Sequence, residues 1–89
     1  MGRSSRMAAG GWTQWTDDLV DVLIAMNLIE GSSFTLQQVY KFENLLEKLH
    51  PTNRHIKAKI RQQLQILRDF GVVEFEKVRG NYTLVRLPS

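Results

Sequence analysis

Lys48-Leu-His-Pro-Thr-Asn-Arg-His-Ile-Lys-Ala-Lys-Ile-Arg-Gln-Gln-Leu-Gln-Ile-Leu-Arg68 carries six basic residues and no acidic one. Ile56, Ile60, Leu64 and Leu67 recur in it at helical spacing, so one face packs against a core. The opposite face carries Arg54, Arg61, Gln62, Gln65 and Arg68. Arg and Gln suit phosphate oxygens and the edges of guanine and adenine. An amphipathic helix with that polar face reads as a DNA recognition helix. Pro51 closes the preceding helix, because a residue before proline is pushed out of helical space. Thr52 or Asn53 then caps the new helix, which runs to about Phe70, with Gly71 in the left-handed position beyond its end.

Upstream, Thr16 is expected to cap a first helix reaching Met26. Asp17 and Asp18 favour its positive end, and Leu19, Leu23 and Met26, flanked by Val22, form its stripe. Asn27 to Ser33 is a turn with Gly31 as breaker. Ser33 and Phe34 can make a very short strand. Thr35-Leu-Gln-Gln38 then matches a capping box opening a second helix, whose apolar positions are Leu36, Val39, Tyr40, Leu46 and Leu49, with Phe42 and Leu45 widening the stripe. Downstream, Val72 to Lys77 alternates as a strand with Val73 and Phe75 inward. Val78 to Asn81 turns, and Tyr82 to Leu87 returns. The predicted fold is α+β: a winged helix-turn-helix of three helices with a C-terminal β-hairpin wing, spanning residues 12–89. Residues 1–11, basic and rich in small side chains, read as a disordered leader, a linker or a cloning remnant.

Eighty-nine residues suffice for one small core and leave little for a catalytic cleft. The lack of cysteine excludes a disulfide framework, a thiol nucleophile and a cysteine-based zinc site, and fits a reducing compartment. No apolar run approaches the ~20 residues of a membrane span. The net charge of +3 is modest. Its distribution is more informative: Asp17, Asp18, Asp21 and Glu30 lie early, while cations collect in the third helix and the tail, leaving one face suited to a polyanion.

Along the third helix Arg54, Ala58, Arg61 and Gln65 form a line, bordered by Gln62 and Arg68. A solvated charged face is the ordinary reading of such a line. That face normally intersperses acidic partners, and none is here. The third helix of a winged helix also enters the major groove with its exposed face. Arg54, Lys57 and Arg61 are expected to bind phosphate or guanine, and Gln62 or Gln65 to read adenine. Ala58 is either a close-approach residue or a helix-favouring filler. His55 can donate to phosphate, and His50 supports the turn. Neither has a metal partner at ligand spacing. Arg79, beside Gly80 at the wing tip, reaches a groove or phosphates, or is simply an exposed turn arginine. Trp12 and Trp15 are expected to pack rather than to stack on bases. The candidate DNA-binding set is thus Asn53, Arg54, His55, Lys57, Ala58, Arg61, Gln62, Gln65 and Arg79. There is no nucleophile, base or phosphate loop, so no catalytic residue, metal or cofactor is assigned.

The strings Phe34-Thr-Leu36, Val39-Tyr40, Phe42-Glu43, His50-Pro-Thr-Asn53, His55-Ile56, Lys59-Ile-Arg-Gln-Gln-Leu-Gln65, Leu67-Arg-Asp69, Gly71, Glu74-Phe75 and Gly80-Asn-Tyr82 together resemble a known family. It is the C-terminal winged-helix domain of the Dam-replacing proteins, methyl-directed type II restriction endonucleases that cut adenine-methylated GATC. Gly11-Trp12-Thr13 resembles the usual beginning of that domain. The wing departs from the family pattern, with Lys77-Val78 before Arg79-Gly80 in place of a more glycine-rich tip. The resemblance implies a module reading N6-methyladenine beside a PD-(D/E)xK nuclease domain in the same or a parent chain. Neither Pro51 nor Pro88 is followed by Asp, and Glu74-Phe-Glu-Lys77 lacks the D/E-x-K spacing, so that nuclease signature is not in these residues.

The expectation is a cytoplasmic, non-catalytic module that binds double-stranded DNA and takes no membrane or small-molecule partner. A winged-helix transcription regulator and a winged helix that binds only protein are the alternatives.

Overall fold

The computed structural model describes residues 11–88. The expected leader, apart from Gly11, lies outside the described residues. Helix α1 spans Gln14–Ala25 and starts two residues before the expected cap. Thr13 takes extended backbone at its head, and its N–H donates to Thr16 Oγ1 at 3.0 Å. Thr16 is therefore inside the helix, and fully buried. Its hydroxyl donates to Gln63 Oε1 at 2.5 Å, an amide that is itself buried. Such a pair is what burial of polar groups requires, since an unmatched one costs about 1–3 kcal/mol. Leu19 and Leu23 face the core as expected, and Met26 is half-buried.

Strand β1, Ser33–Thr35, runs into α2, Leu36–Tyr40. The capping box forms: Gln38 N–H donates to Thr35 Oγ1 at 3.2 Å and Thr35 N–H donates to Gln38 Oε1 at 2.8 Å. The expected second helix is not continuous. A tight turn, with Phe42 N–H donating to Val39 O at 2.9 Å, separates α2 from α3, Glu43–Leu49. The described residues thus hold four helices where three were expected. The turn changes the helical phase, so Leu46 is fully buried while Leu45 and Leu49 are 46% and 52% exposed.

Helix α4, Ile56–Asp69, begins later than expected. Asn53 Oδ1 accepts from His55 N–H at 2.9 Å, a local Asx turn that makes His55 the last residue before the helix. At its far end Gly71 N–H donates to Arg68 O at 3.0 Å and Val72 N–H to Leu67 O at 2.9 Å. These two bonds make a Schellman end, and Gly71, at φ 78°, supplies the left-handed turn it needs.

Strands β2, Val73–Phe75, and β3, Asn81–Leu84, form a hairpin shorter than the sequence suggests. Strand β1 joins it, giving an antiparallel sheet of order β1-β3-β2. Val73 opposes Leu84 and Phe75 opposes Tyr82. Val73 is buried, but Phe75 is 40% exposed, against the expectation that both point into the core. It lies on the correct face, at the far end of an edge strand. There it meets the Tyr82 ring edge-on at 5.1 Å and the Arg68 guanidinium at 4.6 Å.

One core gathers Leu19, Leu23, Phe34, Val39, Leu46, Ile60, Leu64, Leu67 and Leu84. Both tryptophans pack. Trp12 meets Phe70 edge-on at 5.0 Å and donates to Asp17 Oδ1 at 3.0 Å. Trp15 stacks on His50 at 4.2 Å, and His50 Nε2 lies 2.6 Å from Asp18 Oδ2. His50 thus fastens the end of α3 to α1. Among the described residues no helix is long and apolar enough to cross a membrane.

Candidate nucleic-acid interface

Ile56, Ile60, Gln63, Leu64 and Leu67 are the buried residues of α4. With that face fixed inward, Ala58, Gln62 and Gln65 occupy the opposite crest, all exposed. Lys57, Arg61 and Arg68 fall on the flank nearer α2 and the hairpin, and Lys59 on the other. From Ile56 to Arg68 the helix has no acidic residue. Asp69 at its end lies 3.5 Å from Arg68, an exposed pair worth about 0–1 kcal/mol.

The two flanks differ in chemistry. Asn53, His55, Ala58, Lys59 and Gln62 line a shallow concavity of about 320 Å³. On the opposite flank the cations meet aromatic side chains: Arg61 Nη1 donates to the Tyr40 hydroxyl at 2.8 Å, Lys57 Nζ lies 5.2 Å from the centre of the same residue's ring, and Arg68 covers Phe75. Tyr82 lies within electrostatic reach of this group. Burial raises its phenol above the ordinary value, Tyr40 adds to the rise and the Arg61 charge opposes it.

Arg79 is exposed in the hairpin turn and helps to line a cleft of about 340 Å³ with Phe75, Lys77, Asn81 and Tyr82. The turn is not free to swing. Leu36 N–H donates to Gly80 O at 2.8 Å, which fastens the wing to the first turn of α2. Gly80 has φ 86°, a conformation open to glycine at little cost.

The nine sequence-selected residues therefore divide. Asn53, His55, Ala58 and Gln62 converge on one concavity. Lys57 and Arg61 share Tyr40. Gln65 stands on the crest, Arg54 precedes the helix, and Arg79 lies apart on the wing. Tyr40 joins these residues, although its position in the apolar stripe of its helix assigns it to the core. Its hydroxyl was the available signal, since a tyrosine in an apolar stripe needs a partner for its polar end. Among the described residues no group of three or more His, Cys, Asp or Glu is placed to hold a metal ion.

A family model described as the Dam-replacing HTH domain matches residues 13–84 of the 89.

Proposed function

The chain belongs to the Dam-replacing HTH (helix-turn-helix) domain family, and from that premise we propose that it binds double-stranded DNA with α4 in the major groove. In this reading it is the recognition module of a methyl-directed restriction endonuclease, working beside a nuclease domain in the same or a parent chain. The observation that carries the reading is the outer face of α4. Its crest is Ala58, Gln62 and Gln65, its flanks are cationic, and no carboxylate interrupts it before Asp69.

Roles follow from position. In this reading Gln62 and Gln65 on the crest meet base edges, where an amide pairs with adenine N6 and N7. Arg61, on the flank beside Tyr40, meets phosphate in the same reading. Arg54, His55, Lys57 and Asn53 stand around the start of the helix, where the backbone of one strand would pass, and Arg79 reaches for the neighbouring groove. The two kinds of contact give different signatures. Gln62→Ala costs about 1–3 kcal/mol on the preferred sequence and relaxes choice at one base pair. Arg61→Ala weakens all sequences alike and lowers the salt slope by about 0.9. Anisotropy titration of matched and mismatched duplexes at two salt concentrations measures both. If neither substitution changes binding, the outer face of α4 is not the contact surface.

The adenine N6 group lies in the major groove, and its methyl is an apolar bump on a polar edge. Reading it takes a small apolar surface next to an adenine-reading amide, and Ala58 adjoins Gln62 in one concavity. One buried methyl is worth about 0.8 kcal/mol. The domain is therefore expected to prefer GATC duplexes methylated on both adenines by a few-fold to about tenfold. Competition between methylated and unmethylated duplexes tests this. Equal affinity transfers methyl reading to another domain, and tighter binding of the unmethylated duplex overturns it.

A further inference from the structure

Tyr40 closes α2 half-buried, and two cations of α4 meet it. Arg61 Nη1 donates to its hydroxyl at 2.8 Å, and the Lys57 ammonium lies 5.2 Å from the centre of its ring. Lys57 and Arg61 are four residues apart and so neighbours on one flank of the helix. Left alone on a surface, each would spread over many rotamers, and ordering them on a ligand would cost affinity. Tyr40 is not itself loose. Its helix is held by the Thr35–Gln38 capping box at one end and by the Leu36–Gly80 bond to the wing.

The chemistry of the partner matters as much as its position. A carboxylate would hold Arg61 more firmly but would cancel its charge. A neutral phenol accepts one N–H, leaves the positive charge whole and leaves four further guanidinium donors for a ligand. Arg61 and Lys57 remain exposed around this contact. That combination, held but still charged and still open, suits a phosphate oxygen better than an internal ion pair does.

We propose that Tyr40 is a positioning residue that presets Arg61, and with it Lys57, for the phosphates of one DNA strand. The role rests on the DNA-binding reading above. For Arg61 it is distinct from packing, because the ring packs and meets Lys57 by its face while the hydroxyl holds Arg61. Tyr40→Phe separates the two.

The test uses the whole chain as wild type, Tyr40→Phe, Arg61→Ala and the double variant. Relaxation of arginine side-chain Nε in the free protein reads positioning directly. Arg61 is expected to be restricted in the wild type, and in Tyr40→Phe as mobile as exposed Arg54. Thermal melting is expected to stay nearly unchanged in Tyr40→Phe. Affinity for a methylated GATC duplex is expected to fall about two- to five-fold. In the Arg61→Ala background the same change is expected to cost nothing further, since the two residues act as one unit. Equal losses in both backgrounds, or an Arg61 already as mobile as Arg54 in the wild type, overturn the role. Duplex binding that Tyr40→Phe leaves untouched overturns the role alone. Failure of the wild type to bind any duplex overturns the DNA reading, and the role of Tyr40 with it.

Discussion

Raising sodium chloride from about 50 to about 200 mM lowers duplex affinity about a hundredfold. Each phosphate neutralised by a cation releases condensed counterions and contributes about −0.9 to the slope of log affinity against log salt. Arg54, Lys57, Arg61, Arg68 and Arg79 are exposed on α4, the segment before it and the wing. The proposed docking of α4 would bring about four of them to phosphates, for a slope near −3.6. Isothermal titration or anisotropy across that range gives the slope directly. A slope between zero and about −1 would mean that the cationic flanks do not meet DNA, and would favour a protein partner for this face. The net charge of +3 cannot by itself produce so steep a response. Local clustering can.

Leu64→Ala lowers the unfolding free energy by about 2–5 kcal/mol, the range for deleting a fully buried leucine. Leu64 has no exposed surface and lies on the inner face of α4, which packs against α1, α2, α3 and β2. Collapse around the vacated space is limited because those neighbours come from several separate elements. A domain of this size holds only about 5–10 kcal/mol in reserve. The midpoint of thermal unfolding is therefore expected to fall by about 10–30 °C. Gln65→Ala, one position along but on the crest, is expected to change stability by less than about 0.5 kcal/mol. Circular dichroism melts of the two variants measure the contrast. Equal shifts would mean that the helix is rolled differently about its axis.

Helix α4 is the most legible part of the sequence because one physical signal, apolar spacing, runs its whole length and a glycine marks its end. The helix starts were less legible. Thr13 and Thr16 are equally good caps by residue type, and what separates them is Gln63, 47 positions away. The division between α2 and α3 carries no proline or glycine, so Lys41 and Phe42 give no local sign of it. Asn53 looks like a cap, and its side chain does accept a backbone N–H, but the helix begins at Ile56, two residues beyond where a cap at Asn53 would start it. Phe75 obeys the alternation and still reaches solvent, because alternation assigns a face and says nothing of how far the cover extends. Among the candidate residues, charge and position on α4 selected Lys57 and Arg61. The hydroxyl of Tyr40 signals that it needs a polar partner, but that the partner is Arg61 shows only once α2 is folded against α4.

The buried bond between Thr16 and Gln63 acts on α4 as a key acts on a shaft. Apolar contacts tolerate some rolling of a helix, because one methyl can replace another, whereas an amide oxygen that accepts from one hydroxyl favours one angle. The angular index of α4 is thus set from its inner side, by groups that the crest does not touch. Side chains at positions 58, 62 and 65 are then free to change without turning the helix. If α4 reads bases as proposed, a lineage, or an engineer, could exchange the letters it reads while the helix stays aligned.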